Sequence, residues 1–179
     1  MKNNIEKVLY SEKELQDKVA ELGAMISKDY EGKRLLLVSI LKGSVVFMAD
    51  LMRAITVPLE IDFMIVSSYG DNTKSSGNVK IVKDLDINVE KQNILIVEDI
   101  LDSGITLSYI IKMLGQRNPE SIKICTIFSK PDRRVADLKP DYCGFIIPDE
   151  FVVGYGLDYA QEYRNLPYLG ILKREIYEK

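Results

Sequence analysis

Two adjacent carboxylates, Glu98 and Asp99, precede a short polar loop, Asp102-Ser103-Gly104-Ile105-Thr106. Carboxylates so placed can accept hydrogen bonds from a sugar diol or hold Mg²⁺, a hard cation that takes oxygen ligands. The loop supplies the opposite chemistry. Gly104 lets backbone come close to a ligand, and Ser103 and Thr106 add hydroxyl donors. A loop that opens a helix also offers unpaired N–H groups and partial positive charge, which favour an anion, phosphate above all. Phosphate, diol and metal within one stretch suggest a phosphorylated sugar. A second loop, Leu41-Lys42-Gly43-Ser44, again sets a glycine beside a helix start and adds one cation. A substrate with phosphate at one end and diphosphate at the other needs two such sites. The chain has no His. Proton transfer therefore falls to carboxylates, Lys, Tyr or Cys, and Asp102 is the candidate, with capping of the following helix as a compatible role.

These groups need elements to position them. Ile94 to Val97 is an unbroken apolar run, the pattern of a parallel strand buried on both faces, and Leu107, Ile110, Ile111 and Leu114 recur at helical spacing after the loop. Arg34 to Ile40 followed by Val45, Phe47, Met48, Leu51 and Met52 repeats the strand-loop-helix design. Ser11 to Lys28 reads as an amphipathic helix with Ser11 and Glu14 as a capping box and Leu15, Val19, Leu22 and Ile26 on one face. Leu59 to Val66 alternates, with Leu59, Ile61, Phe63 and Ile65 sharing a face, as in a half-exposed strand. Residues 68–78 are polar and bounded by glycines, either loose surface or a lid, before a strand resumes at Val79 to Val82. Ile122 to Ser129 is another strand, and it leaves Lys130 at its carboxyl end, where open α/β sheets bind ligands. From the residues alone, Lys130 is a surface cation, Arg133 and Arg134 are surface or subunit contacts, Phe151 is core and Asp158 is a turn residue. No repeat or linker interrupts the pattern, so residues 1–179 form one α/β domain with a central, mainly parallel sheet flanked by helices.

Composition narrows the function classes. A chain of 179 residues, 46% hydrophobic and 28% charged, has the makeup of an ordinary globular protein. Its formal charge of −3 argues against a nucleic-acid or anionic-membrane binder. Cys125 and Cys143 both sit in apolar runs and read as buried free thiols in a reducing cytosol. No segment has the length of a membrane span and Met1 to Ile5 carries no signal region, so a cytoplasmic location is expected.

The stretch Val97-Glu98-Asp99-Ile100-Leu101-Asp102-Ser103-Gly104-Ile105-Thr106-Leu107 resembles the phosphoribosyl-diphosphate signature of the type I phosphoribosyltransferases, in the form of their 6-oxopurine branch. Leu41-Lys42-Gly43-Ser44 is similar to that family's diphosphate loop, Ser68-Tyr69 to the start of its mobile catalytic loop, and Phe151 to Tyr159 with Tyr163 to Pro167 to its purine-binding and closing segment. The resemblance covers roughly residues 40–167 and implies the family fold, with a small hood built from the N- and C-terminal segments. It implies transfer of a 5-phosphoribosyl group from 5-phospho-α-D-ribose 1-diphosphate to N9 of hypoxanthine or guanine, releasing diphosphate. In that scheme Asp102 to Thr106 hold the 5′-phosphate, Lys42, Gly43 and Arg164 meet the diphosphate, and Asp102 accepts the proton. Glu98 and Asp99 fix the ribose hydroxyls and help to bind Mg²⁺, and Asp158 stands near a second Mg²⁺ and the purine 2-position. Phe151 stacks on the base, Lys130 donates to O6 and the Val152 backbone reads the pyrimidine edge. The 68–78 loop closes over the site and keeps water from a sugar cation. The resemblance implies a cis Leu41–Lys42 bond as a frequent feature and a homodimer or homotetramer. It assigns nothing to the tail Ile171 to Lys179.

Three other readings stay open. The same fold with another base, such as xanthine or a pyrimidine, is one. A related regulator that binds RNA, for which no basic face is visible, is another. The third is a plain nucleotide-binding module, which leaves Lys42, Asp102 and the loop unexplained.

Overall fold

In chain order the elements are β1 (Ile5–Tyr10), α1 (Glu12–Asp29), β2 (Leu35–Leu41), α2 (Val45–Ala54), β3 (Leu59–Ser68), β4 (Val79–Lys83), β5 (Asn93–Leu101), α3 (Ile105–Gly115), β6 (Ser121–Ser129), β7 (Tyr142–Ile146), β8 (Val152–Val153), β9 (Leu169–Leu172) and α4 (Arg174–Tyr177). This computed structural model describes residues 1–68 and 79–178, with the backbone alone at Ser68. Tyr69 and the rest of the expected lid, and the Ser68 side chain, lie outside the described residues.

The unbroken apolar runs become the middle of a six-stranded sheet of order β4-β3-β2-β5-β6-β7, parallel throughout except for β4 at one edge. Successive side chains of a strand face opposite ways. Leu35 and Leu37 of β2 pack with Leu95 and Val97 of β5 under α1 and α2, whereas Leu36, Val38, Ile94 and Ile96 pack on the other face with Leu107, Ile110 and Leu114 of α3. Helices on both faces are what require apolar residues at every strand position. The capping box of α1 forms as expected: Ser11 Oγ accepts from the Glu14 N–H, and the Glu14 carboxylate accepts from the Ser11 N–H. Both cysteines are free, Cys125 buried and Cys143 half-buried.

The alternation in β3 misleads. Its buried positions are Asp62 and Met64, while Ile61, expected on the sheltered face, is 39% exposed. A carboxylate takes the buried place because the backbone comes to it: Asp62 accepts from the N–H groups of Phe63, Asp86 and Ile87 and stands 3.6 Å from Lys83 Nζ. Buried charge is tolerated where it is hydrogen-bonded.

From β2 the chain crosses to β3 on one side, and from β5 to β6 on the other. The strand order therefore reverses between β2 and β5. Open α/β sheets bind ligands in the crevice at such a reversal, outside the carboxyl ends of the strands. The loops after β2 and β5 carry Lys42–Gly43 and Asp102–Thr106. The hood is a second sheet of order β1-β9-β8, antiparallel, pairing the two ends of the chain over a small core of Val153, Tyr163, Leu166 and Leu172.

Candidate active site

The loop after β5 leads directly into the start of α3. Gly104 is the N-cap of α3 at φ +77° and has no side chain to cap the helix; the Ser103 hydroxyl lies 3.5 Å from the Ile105 nitrogen as a long acceptor. The capping role expected of Asp102 is therefore not taken, and the helix start is left for a ligand. The backbone of this loop is gripped from the turn that follows β6. Arg134 donates from Nε to the Asp102 carbonyl (2.7 Å), from Nη2 to the Leu101 carbonyl (2.9 Å) and Ser129 Oγ (3.0 Å), and from Nη1 to the Leu138 carbonyl (2.7 Å). The N–H groups of Val135 and Ala136 both reach the Ser103 carbonyl at 3.0 Å. This corrects the reading of Arg134 as a surface residue, whereas Arg133 is exposed as expected. Carbonyls at the end of a buried strand need donors, and nothing in the pair Arg-Arg announces which of the two supplies them.

Arg133 faces the same residue from the other side. Its Nε lies 2.9 Å from Asp102 Oδ1, in contact but out of hydrogen-bond alignment, and its Nη1 donates to Asp149 Oδ1 at 3.1 Å. Asp102 Oδ1 is buried without an aligned donor.

Across the crevice the Leu41–Lys42 peptide is cis. Gly43 has no room for a side chain: a Cβ there would lie 1.7 Å from Asp99 Oδ2, and one on Gly156 (φ +99°) would lie 2.1 Å from the Gly43 carbonyl. Arg164 donates to the Gly156 carbonyl (2.8 Å) and pairs with Asp158 (2.7 Å). Lys42 Nζ and Arg164 Nη2 each lie 3.4 Å from Gln161 Oε1, and the Gln161 N–H donates to Asp158 Oδ2. Gln161, at φ +69°, is a link that the sequence did not disclose. The predicted diphosphate residues Lys42, Gly43 and Arg164 do converge, with Asp158 as the counter-ion of Arg164.

Between the two loops stand Glu98 and Asp99. Asp99 is buried and accepts from the Ile100 N–H (2.6 Å). Glu98 Oε2 is buried with no partner. Burial, then the Asp99 charge, pushes the Glu98 carboxyl well above the usual carboxylate range. Burial pushes Asp99 up to about 6, against the Ile100 hydrogen bond and the Arg164 charge. Two adjoining carboxylates, one with an orphaned buried oxygen, suit a hard cation. Among the described residues no three such groups converge, so Asp158 does not complete a protein-only site. Mg²⁺ is commonly held by one or two carboxylates together with substrate phosphates and water. The pair fits that ion.

Of the base-side residues, Lys130, Phe151 and Val152 meet, whereas Asp158 lines neither of the two cavities that follow. A 290 Å³ cavity is lined by Lys42, Gly43, Glu98, Asp99 and the Asp102–Thr106 loop, and a 480 Å³ cavity by Lys130, Phe151, Val152 and Asp149. Ile100 and Asp102 line both cavities. Lys130 is buried rather than solvated, with Nζ on the Glu150 carbonyl (2.7 Å) and 3.7 Å from Asp149. Phe151, read from the residues alone as core, is 37% exposed. The tail, to which the resemblance assigns nothing, contributes Arg174, Tyr177 and Glu178 to the larger cavity's wall.

Residues 7–160 match the family model described as phosphoribosyl transferase domain. The chain is 57% identical over 178 residues to a hypoxanthine-guanine phosphoribosyltransferase of Bacillus subtilis, covering 99% of each chain. It is 54% identical over 179 residues to one of Streptococcus mutans, covering 100% of this chain and 99% of the other. A crystal structure of a hypoxanthine phosphoribosyltransferase from Staphylococcus aureus superposes with a TM-score of 0.98 at 51% identity, covering 100% of this chain and 97% of that one.

Proposed function

The chain belongs to the phosphoribosyl transferase domain family, and from that premise we propose that it transfers the 5-phosphoribosyl group of 5-phospho-α-D-ribose 1-diphosphate to N9 of hypoxanthine or guanine. The products are the purine nucleotide and diphosphate, the chemistry of purine salvage. The single observation that carries the reading is the junction of the two cavities at Ile100 and Asp102. One side offers a helix start, a Lys and an Arg to the phosphates, and the other offers an aromatic ring and a buried Lys to a base.

The α3 start and the hydroxyls of Ser103 and Thr106 hold the 5′-phosphate. Lys42, Arg164 and the Gly43 backbone hold the diphosphate, and Arg164 turns from Asp158 to meet it as a planar fork. Glu98 and Asp99 would hold Mg²⁺ and accept from the ribose hydroxyls. When bound, the ion neutralises charge on the leaving diphosphate. Phe151 stacks on the base and the Val152 backbone reads its edge. Lys130 moves from the Glu150 carbonyl to O6. A 6-amino base would present a donor to that ammonium, and such mismatches give strong discrimination. As N9 attacks C1′, Asp102 accepts the proton at N7. Asp158 would stand near the purine 2-position and a second Mg²⁺. The chain acts in the cytoplasm as a homodimer or homotetramer, a reading supported by the family resemblance and checked by sedimentation.

A panel of hypoxanthine, guanine, xanthine, adenine and uracil, assayed for kcat/KM with phosphoribosyl diphosphate and Mg²⁺, tests the proposal. Hypoxanthine and guanine should exceed the others. Preference for adenine or uracil would overturn the Lys130 assignment and the substrate class together.

A further inference from the structure

Phe151 needs support to present a flat face. It lies at the rim of the hood, more than a third of its surface exposed, and an aromatic side chain there is free to change rotamer unless neighbours hold it. Two tyrosines do. Tyr159 meets the ring edge-on, centroids 5.6 Å apart and planes at 88°, and Tyr177 stacks on it, centroids 4.7 Å apart and planes at 22°.

Tyr177 is delivered by the tail, and the tail is tied to Phe151 itself. The Leu172 N–H donates to the Phe151 carbonyl at 2.9 Å, and the Lys173 N–H to the Asn4 carbonyl at 3.0 Å. Ile176 and Tyr177 then pack against the hood core of Val153, Tyr163, Leu166 and Leu172. The backbone of Phe151 and the ring that covers it are thus fixed by one segment. Arg174 and Tyr177 continue onto the wall of the 480 Å³ cavity that Phe151 lines.

We infer that Tyr177 is a positioning residue for the acceptor base: it backs Phe151 in a stack whose next layer is the purine. The inference rests on the reading of Phe151 as the base-stacking ring. Tyr177 holds the ring in its binding rotamer before the base arrives, so the ordering is not charged to the binding step. A stacked aromatic pair and the ordering of one side chain each correspond to about two- to tenfold in affinity. The effect belongs to base recognition and not to bond breaking.

Steady-state kinetics on Tyr177→Ala, Tyr177→Phe and Phe151→Ala, with hypoxanthine as the varied substrate, test it. Tyr177→Ala should raise KM for hypoxanthine about three- to tenfold, with kcat at saturating base and KM for phosphoribosyl diphosphate unchanged. Tyr177→Phe, which keeps the ring, should retain the wild-type KM. In a Phe151→Ala background, Tyr177→Ala should add nothing, the mark of two residues acting as one unit. An unchanged or lowered KM in Tyr177→Ala, beside a raised KM in Phe151→Ala, overturns the role of Tyr177 and leaves the base site standing. A Phe151→Ala enzyme with unchanged base KM overturns both. Equal losses in the Phe and Ala variants of Tyr177 also overturn it, because the ring would not be the operative group.

Discussion

Replacing Asp99 by Asn should stabilise the ligand-free protein at neutral pH, because burial opposes the ionised carboxylate there. Asp99 is 8% exposed, and burial pushes its carboxyl up to about 6 from an ordinary 3.8. At about 1.4 kcal/mol per pH unit, that gap corresponds to about 3 kcal/mol by which the ionised side chain opposes folding. The sign follows from proton binding. A carboxyl raised in the folded state binds its proton more tightly there, so its contribution is fully present below pH 3.8 and is lost as pH rises through about 6. Asn removes the charge and can still accept from the Ile100 N–H through its amide oxygen. Thermal unfolding in Mg²⁺-free buffer, from about pH 4 to pH 8, is the assay. Wild type and variant should coincide near the acid end and diverge between about pH 4 and pH 7, with the variant higher. For a chain of this size, Tm shifts by about 2–4 °C per kcal/mol, so a gain of about 6–12 °C is the upper range. Glu98, raised in the same direction, steepens the wild-type decline. A variant less stable than wild type at about pH 7.5, or a difference that does not change with pH, would refute the claim that buried charge at this pair is held against its own solvation.

Asp102→Asn keeps size and loop contacts but cannot take a proton, so kcat should fall on the order of 10²–10⁴-fold with little change in phosphoribosyl-diphosphate affinity; an unchanged kcat removes Asp102 as the base. Gly43→Ala drives a methyl onto Asp99 Oδ2, and the displacement should lower kcat/KM for phosphoribosyl diphosphate on the order of 10²-fold; normal kinetics would mean that the loop has slack. Arg134→Ala strips donors from the carbonyls of Leu101, Asp102 and Leu138 and from the Ser129 hydroxyl. Half-burial places each loss toward the low end of the usual range, so chemical denaturation should show about 3 kcal/mol less stability, and Arg134→Lys should recover little of it, because the fork and not the charge is used. A neutral Arg134→Ala would assign the grip to the Val135 and Ala136 N–H groups alone.

The central sheet was legible because burial on both faces leaves no freedom: Leu35 to Ile40 and Ile94 to Val97 have to be apolar at every position. The two strand-loop-helix junctions were legible for a related reason, since each sets a glycine between a buried apolar run and a helical repeat. β3 was not, because its buried position is filled by Asp62, whose cost is cancelled by N–H donors from residues 86 and 87 that no local pattern reveals. Arg134 and Gln161 stayed hidden likewise. Each acts on backbone or on another cation's counter-ion, and a side chain's partners across the fold leave no periodicity behind. Lys130 and Phe151 read alone as surface and core, and the fold exchanges those descriptions because Lys130 ends a buried strand while Phe151 lies at the hood rim. Tyr177 lies beyond the stretch that the family resemblance covered, so neither pattern nor likeness pointed to it.

The described site is largely paired with itself before any ligand arrives. Arg164 holds Asp158, Arg133 touches Asp102 and Asp149, and Lys130 rests on the Glu150 carbonyl near Asp149. Each cation that the reaction assigns to a phosphate or to O6 therefore has an internal acceptor to leave, and a ligand gains only the difference between the two partners. The Arg164–Asp158 pair has both side chains 25% exposed, so the exchange is near neutral for an ordinary acceptor and favourable only for one with more charge or a better-matched fork, as a diphosphate has. Glu98 and Asp99 are the exception: among the described residues they form no ion pair, and both carboxyls are raised by burial. The net electrostatic gain on assembly should accordingly concentrate at the carboxylate pair and the cation it takes, with the arginines and Lys130 supplying selection. It follows that substrate-induced thermal stabilisation should depend more steeply on Mg²⁺ in wild type than in Asp99→Asn. Equal Mg²⁺ dependence in the two would move the gain away from the pair and onto the cations.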